Sequence, residues 1–305
     1  MTSNRPISDL LVSRSPVLSV EFFPPKDEAG GELIVHTALE IKEQVKPDFV
    51  SITYGAGGST RERTFRYAKL LKDEYGFEVM PHLTCVGSSK NEIREIVAQW
   101  QEAGFCNIMA LRGDPPKGET EFRPHPDGFH YADELVAFLR ENFSGFSLGV
   151  AGYPEVHPEA PDAVADLANL KRKVDAGASF VTTQLFYDNK YFRSFVEGCR
   201  SAGITVPIVP GLMPIRSAAQ ARRFCKHVPA ELDNALEEAG DDKGKVHEIG
   251  IAWTCRQIRE LLAWGAPGVH LYIMNRSRMA VEVLRRLRAE GHFHAKPPPP
   301  AQSLD

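Results

Sequence analysis

Eight short apolar runs, each followed by a longer stretch of helical spacing, organise this chain. The runs fall at 17–23, 48–54, 78–84, 107–112, 147–153, 180–187, 206–211 and 269–274. Helical patterns follow at 32–46, 61–74, 89–103, 129–142, 161–176, 190–202, 216–227 and 277–289, and an additional one fits 244–263. Short apolar runs suit strands covered on both faces, and parallel strands require long crossovers of the kind these helices supply. A doubly wound sheet and a closed barrel both satisfy that alternation. Polar and glycine-rich strand ends recur in nearly every unit rather than at one crossover point, and no GxGxxG or Walker A loop is present. The expected fold is therefore α/β, a single (β/α)8 TIM barrel with an additional helix before the last strand. Residues 17–295 would form it, after a polar lead-in at 1–16 and before a proline-rich tail at 296–305. The tail prolines oppose both helix and central strand, so this end is expected to be extended or disordered.

Charge and cysteine usage narrow the function classes. The 36 Lys and Arg against 40 Asp and Glu leave a net charge of −4, which gives no general attraction to nucleic acid or to an anionic membrane. Cys85, Cys106, Cys199, Cys225 and Cys255 are scattered, with no CxxC pair. That argues against a disulfide framework or structural zinc site and for a reducing, cytoplasmic setting. The N-terminus lacks the apolar core of a signal peptide, and no apolar run approaches the length of a membrane span.

Two carboxylates stand out. Glu21 lies in VLSVEFFPPK, after an apolar run and before two aromatics and two prolines. Facing a partly apolar barrel mouth, it would be desolvated and able to hold a proton for general acid catalysis. An acid at a strand edge, paired with Arg or Lys, is the structural alternative. Asp114 ends the fourth run in LRGDPP, where Gly113 permits close backbone approach. Two carboxylates could serve glycoside hydrolysis or could orient a nitrogen-rich ligand, and the sequence does not supply the separation that would choose.

Other groups are compatible with a cofactor without specifying one. His82 and His157 lack metal-ligand spacing, so no metal is expected. Thr53, Tyr54, Gln184, Gln220 and Tyr272 place neutral hydrogen-bonding groups near strand ends, as a flavin or pterin ring would need. Arg276 follows the last run and could bind a ligand carboxylate bidentately. In the helix at 161–176, Val164, Leu167, Leu170 and Val174 form the expected buried face. Asp166, Asn169, Arg172 and Lys173 then fall on its flanks or its solvent side, where KRK reads equally as a solvated face.

The ordered set VEFFPPK, SITYGAGGSTR, PHLTC, LRGDPP, YPEVHPEA, NLKRKVDAGA, TTQLFYD, VPGLMPI and LYIMNR resembles the methylenetetrahydrofolate reductase family, in its compact bacterial form, over about residues 17–290. The resemblance implies a barrel that binds FAD non-covalently and reduces 5,10-methylenetetrahydrofolate to 5-methyltetrahydrofolate with NADH or NADPH. It implies a ping-pong cycle, with hydride relayed through flavin as the two substrates alternate at one face. Glu21 matches the family's general acid, and Asp114 matches an aspartate near flavin and folate. Thr53, Tyr54, Ala56, His82, Arg112, Gly113, Asp114, Tyr131, Ala132, Tyr153, His157, Ala160, Asp166, Asn169, Arg172 and Lys173 match positions around FAD. Gln184, Gln220, Phe224 and Arg276 match substrate-facing positions, and Tyr272 is expected beside them. The resemblance also implies a homo-oligomer, with a tetramer as one form. A flavin- or folate-binding barrel with little turnover is the competing reading, followed by a carboxylate-dependent glycoside hydrolase.

Overall fold

The computed structural model describes residues 4–54, 61–115, 118 and 122–293. Its strands are β1 (Val17–Phe22), β2 (Phe49–Ile52), β3 (Val79–Thr84), β4 (Asn107–Leu111), β5 (Ser147–Gly152), β6 (Phe180–Thr183), β7 (Ile208–Val209), β8 (Gly211–Leu212) and β9 (Gly268–Tyr272). All pairings are parallel. The hydrogen-bonded order runs β7, β6, β5, β4, β3, β2, β1, β9, β8. Because β7 and β8 are separated only by Pro210, they are two halves of one barrel stave. The first half pairs with β6 and the second with β9, which closes the circle. Proline has no N–H to give to a ladder, but the Pro210 carbonyl still accepts from the His270 N–H at 2.9 Å. The seventh run thus becomes two short strands rather than one.

Helices α2 (Glu28–Glu40), α3 (Arg61–Asp73), α4 (Lys90–Glu102), α5 (Ala132–Asn142), α6 (Ala163–Asp175), α7 (Asn189–Ser201), α8 (Ala218–Phe224), α10 (Lys243–Ala263) and α11 (Ser277–Ala289) surround the strands. Three departures from the sequence pattern have physical causes. Residues 7–13 form a helix, α1 (Ile7–Ser13), inside the stretch expected to be a lead-in. Its first N–H groups are capped by the barrel itself: Ile7 donates to Asn107 Oδ1 at 2.8 Å and Ser8 to Ser147 Oγ at 3.0 Å. Its Ile7, Leu10 and Leu11 then pack on Val17, Phe49, Met80, Met109, Phe180 and Val209, sealing the end where the strands begin. Second, the connection before β9 holds two extra helices, α9 (Ala230–Ala239) as well as α10. Leu232 and Leu236 of α9 bury against a satellite cluster that includes Tyr187, Ile215 and Val246. Third, Val164 of α6 is 78% exposed instead of buried, while Leu170 is buried and Leu167 and Val174 pack partly on the core. Helices run antiparallel to their strands, so the first turn of α6 stands above the end of the sheet, where Val164 has nothing to cover.

Strand alternation sorts side chains into two environments. On β1, Leu18, Val20 and Phe22 face the helices, as do Val50 and Ile52 on β2 and Val269 and Leu271 on β9. The alternate positions line the barrel: Val17, Phe49 and Met80 at the sealed end, then Ser19, Ser51, His82 and His270 above them. The interior therefore changes from apolar to polar along its axis.

Candidate active site

Glu21 tops the inward column of β1 and is only 6% exposed. Its register partners are Ser51 on β2 and Tyr272 on β9. Glu21 Oε2 lies 3.4 Å from Ser51 Oγ, which donates to it, 3.4 Å from His82 Nε2 and 3.6 Å from His270 Nε2. Among the described residues no Arg or Lys pairs with Glu21, which removes the simple edge-salt-bridge reading. The approach of His82 is close but misaligned, leaving its Nε2 buried without a hydrogen bond. Burial holds the His82 pKa below 6.5, against the upward pull of Glu21, and the charge of His270 adds to the lowering.

His270 and the two serines were not singled out from the sequence. His270 Nδ1 lies 2.8 Å from Ser19 Oγ, and its ring stacks on Phe49 and meets Tyr272 edge-on. The signal was available: in VLSVEF, FVSI and GVHLY the polar residues occupy the alternate positions that point away from the helices. A polar side chain in the inward column of a buried strand belongs to the barrel interior.

Across the mouth, β4 and β5 supply a second group. Gly113 has φ +91°, and a β-carbon there would lie 2.7 Å from Val86 Cγ1 and 2.9 Å from Thr84 Cβ. Only glycine fits this turn without strain. Beyond it, Asp114 is exposed at the rim, and its charge helps raise Tyr153 to about 12, after the larger effect of burial. Tyr153 packs edge-on against His157 at 4.5 Å, and the His157 N–H donates to Asp166 Oδ2 at 3.0 Å. His157 is itself held below 6.5, chiefly by burial. Arg112 forms a bidentate pair with Glu159, both contacts at 2.6 Å, and Ala160 closes the turn through the His157 carbonyl. Lys173 donates to the Ala151 carbonyl at 2.6 Å, and burial lowers its pKa to about 8. Arg172 contacts Asn169 at 2.5 Å and Asp133 at 3.6 Å. Tyr131, the N-cap of α5, is 57% exposed and Ala132 begins that helix, adjacent to Asp133.

The remaining expected positions ring the same end of the barrel. Thr53 follows β2, where its carbonyl accepts from Thr64 Oγ1 at 3.1 Å. The phenol of Tyr54 is buried and raised to about 12, despite the nearby Arg61 guanidinium. Ala56 lies outside the described residues. Gln184 follows β6 and is exposed, whereas Gln220 is 8% exposed and accepts the Arg216 N–H at 2.7 Å. Phe224 ends α8 and is 39% exposed. Tyr272 donates to the Thr183 carbonyl at 2.7 Å, tying β9 to β6 across the split stave, and Arg276 is exposed at the start of α11. Loop contacts link the two sides: Glu155 accepts from Cys225 Sγ at 3.1 Å and from the Lys226 N–H at 3.0 Å. A groove of about 1290 Å³ lies elsewhere, between α2 and α3 on the outside of the barrel. The buried polar groups, not that outer groove, mark the chemistry. Among the described residues no three His, Cys, Asp or Glu side chains converge as a metal site.

The family model for methylenetetrahydrofolate reductase matches residues 7–288. The chain belongs to that family. It is 38% identical to the Escherichia coli 5,10-methylenetetrahydrofolate reductase over 274 residues, covering 88% of this chain and 90% of that one. It is 40% identical to a probable methylenetetrahydrofolate reductase (NADH) of rice over 285 residues, covering 89% of this chain and 48% of the plant protein. The chain thus spans about half the length of the plant members of the methylenetetrahydrofolate reductase family. A solved structure of a Clostridium thermocellum protein that binds two copies of 5-methyl-5,6,7,8-tetrahydrofolic acid superposes with a TM-score of 0.65 at 15% identity. It covers 93% of this chain and 99% of that one, a likeness of fold. No described helix is long and apolar enough to cross a membrane.

Proposed function

We propose that this protein reduces 5,10-methylenetetrahydrofolate to 5-methyltetrahydrofolate, with FAD as cofactor and NADH or NADPH as reductant in a ping-pong cycle. The observation that carries the reading is Glu21: a shielded carboxyl at the inner mouth of the barrel, with histidines on two sides and, among the described residues, no Arg or Lys paired with it. Family membership supplies the substrate class, and the site suits it. Glu21 delivers a proton to N10 of the folate as the bond from N10 to the bridging carbon breaks. The electron pair of that bond goes to N10, and N5 is left as an iminium ready for hydride. Exclusion of water around Glu21 keeps the proton directed at the substrate. Asp114, at the rim, orients the pterin and acts on its surroundings by charge rather than as a second acid.

The residues present fit a flavin dinucleotide. Lys173 and Arg172 bring cations to one sector, and among the described residues Lys173 donates only to a backbone carbonyl. At the end of β3, the buried hydroxyl of Thr84 has no hydrogen-bond partner among the described residues. Tyr153, His157, Ala160, Asp166 and Asn169 would shape the dinucleotide end, with Thr53, Tyr54, His82, Arg112 and Gly113 around the ring. FAD supplies reversible two-electron hydride transfer between two substrates that take turns. Gln184, Gln220, Phe224, Tyr272 and Arg276 would position whichever substrate is present.

The deciding experiment is anaerobic and spectroscopic. The purified protein should be yellow, bleach with NADH or NADPH, and regain its colour when methylenetetrahydrofolate is added. Bleaching without recovery would reject the reductase and leave a flavin-binding barrel.

A further inference from the structure

The ion pairs around α8 to α10 belong to Arg222 with Asp233 and Glu237 and to Arg256 with Glu231. Arg216 and Arg276 take part in no ion pair among the described residues. Both stand at the ligand-facing end of the barrel, Arg216 four residues after β8 and Arg276 four residues after β9. Those strands are neighbours, paired at Leu212 and Leu271. Their following loops are drawn together by a shared cluster in which Ile215 and Met274 flank Tyr187 and Met213. Arg216 is half-buried, and burial, followed by the charge of Arg276, lowers its pKa. Beside it, Gln220 is nine-tenths buried with its amide oxygen on the Arg216 N–H, and its Nε2 finds no partner among the described residues. The buried Tyr187 hydroxyl is also without one. Two like charges beside unused neutral donors are unfavourable until an anion joins them.

We propose that Arg216, beside the substrate-facing Arg276, takes the additional carboxylate of a γ-linked glutamyl extension of the folate. This rests on the folate reading above and extends it to a preference for chain length. Guanidinium forks and amide or hydroxyl donors suit planar carboxylates. The pair is also separate from the cationic sector of Lys173 and Arg172, which belongs to β5 and α6.

Isothermal titration of the FAD-loaded protein with 5-methyltetrahydrofolate, as monoglutamate and as triglutamate, tests the assignment. The triglutamate should bind about tenfold more tightly at low salt, and the ratio should shrink as salt is raised. Arg216→Gln should bring the ratio toward one, and Arg216→Lys should restore part of it; far-ultraviolet circular dichroism confirms that each variant folds. An unchanged ratio in Arg216→Gln overturns the proposal. So does a selective loss of NADPH relative to NADH binding with the folate ratio intact, which would assign the pair to a phosphate. If neither folate binds the parent protein, the folate reading falls as well, a result distinct from binding without length preference.

Discussion

Asn275 grips the backbone of Phe23 from both sides: its Oδ1 accepts from the Phe23 N–H and its Nδ2 donates to the Phe23 carbonyl, each at 2.8 Å. The clamp joins the end of β1, two residues beyond Glu21, to the turn that carries Arg276. It holds because Met274 and Asn275 both adopt φ +52°, a left-handed conformation that asparagine tolerates better than most residues. Asn275→Ala removes both bonds and keeps the strained backbone, so it should cost about 2–3 kcal/mol of stability in a urea titration. A loss below about 0.5 kcal/mol would mean that the clamp contributes little beyond neighbouring packing.

Glu21→Gln keeps the size of the side chain and removes its acidity. Flavin retention and bleaching by the nicotinamide should survive, because neither needs this proton. Reoxidation by methylenetetrahydrofolate should slow by about a hundredfold or more. A variant that reoxidises at the parental rate in stopped flow would remove Glu21 from the acid role.

His82 makes stability depend on acid. Its folded pKa lies below 6.5, chiefly through burial, so between the two values the unfolded chain binds a proton that the native protein does not. Stability should therefore fall as pH drops below about 6.5 and level off below the folded pKa. His157 is shifted in the same direction and adds to the trend. Replacing His82 with Gln should flatten the slope of urea midpoint against pH over this window; a slope identical to the parent's would assign the dependence to other groups.

Gly211 begins the second half of the split stave under the ring of Tyr272. A β-carbon there would fall 2.2 Å from the Thr183 carbonyl oxygen and 2.6 Å from Tyr272 Cε2. Gly211→Ala should destabilise by about 1–3 kcal/mol, since backbone and ring must both move. Tyr272→Phe, which loses only the bond to Thr183, should cost about 1 kcal/mol. Equal thermal stability of Gly211→Ala and parent would show that the stave relaxes freely.

Lys173 sets a local cost against a binding role. Burial lowers its pKa to about 8, so the native protein holds its charged form less favourably than the unfolded chain does near neutrality. Lys173→Met should leave the flavin-free protein about as stable as the parent in a thermal melt, because removing the desolvated charge offsets the lost bond to Ala151. The same variant should release flavin more readily on dialysis. Full flavin retention would remove Lys173 from the cofactor site.

The alternation of apolar runs and helical stretches specified parallel strands joined by helical crossovers, and the polar, glycine-rich strand ends recurring in nearly every unit pointed to a barrel rather than a doubly wound sheet. The alternation also placed Glu21 at the end of β1, since VLSVEFF marks a strand and proline ends it. The pairing of Glu21 with His270 was not legible in the same way. Those residues are 249 positions apart in the chain, and only barrel closure aligns β1 with β9. Likewise α1 is too short to be marked by periodicity, and its caps, Asn107 and Ser147, come from distant strands.

The sequence by itself determined the order of strands and helices, the glycine at position 113 and the presence of an acid at the first strand's end. Local propensity and side-chain periodicity are short-range properties, and they fix such features without reference to the rest of the chain. Tertiary structure decided which polar columns met inside the barrel, where Pro210 divides the seventh stave, and that Arg216 comes beside Arg276. Those outcomes depend on ring closure and on how loops pack over it, and both join residues that carry no information about each other along the chain.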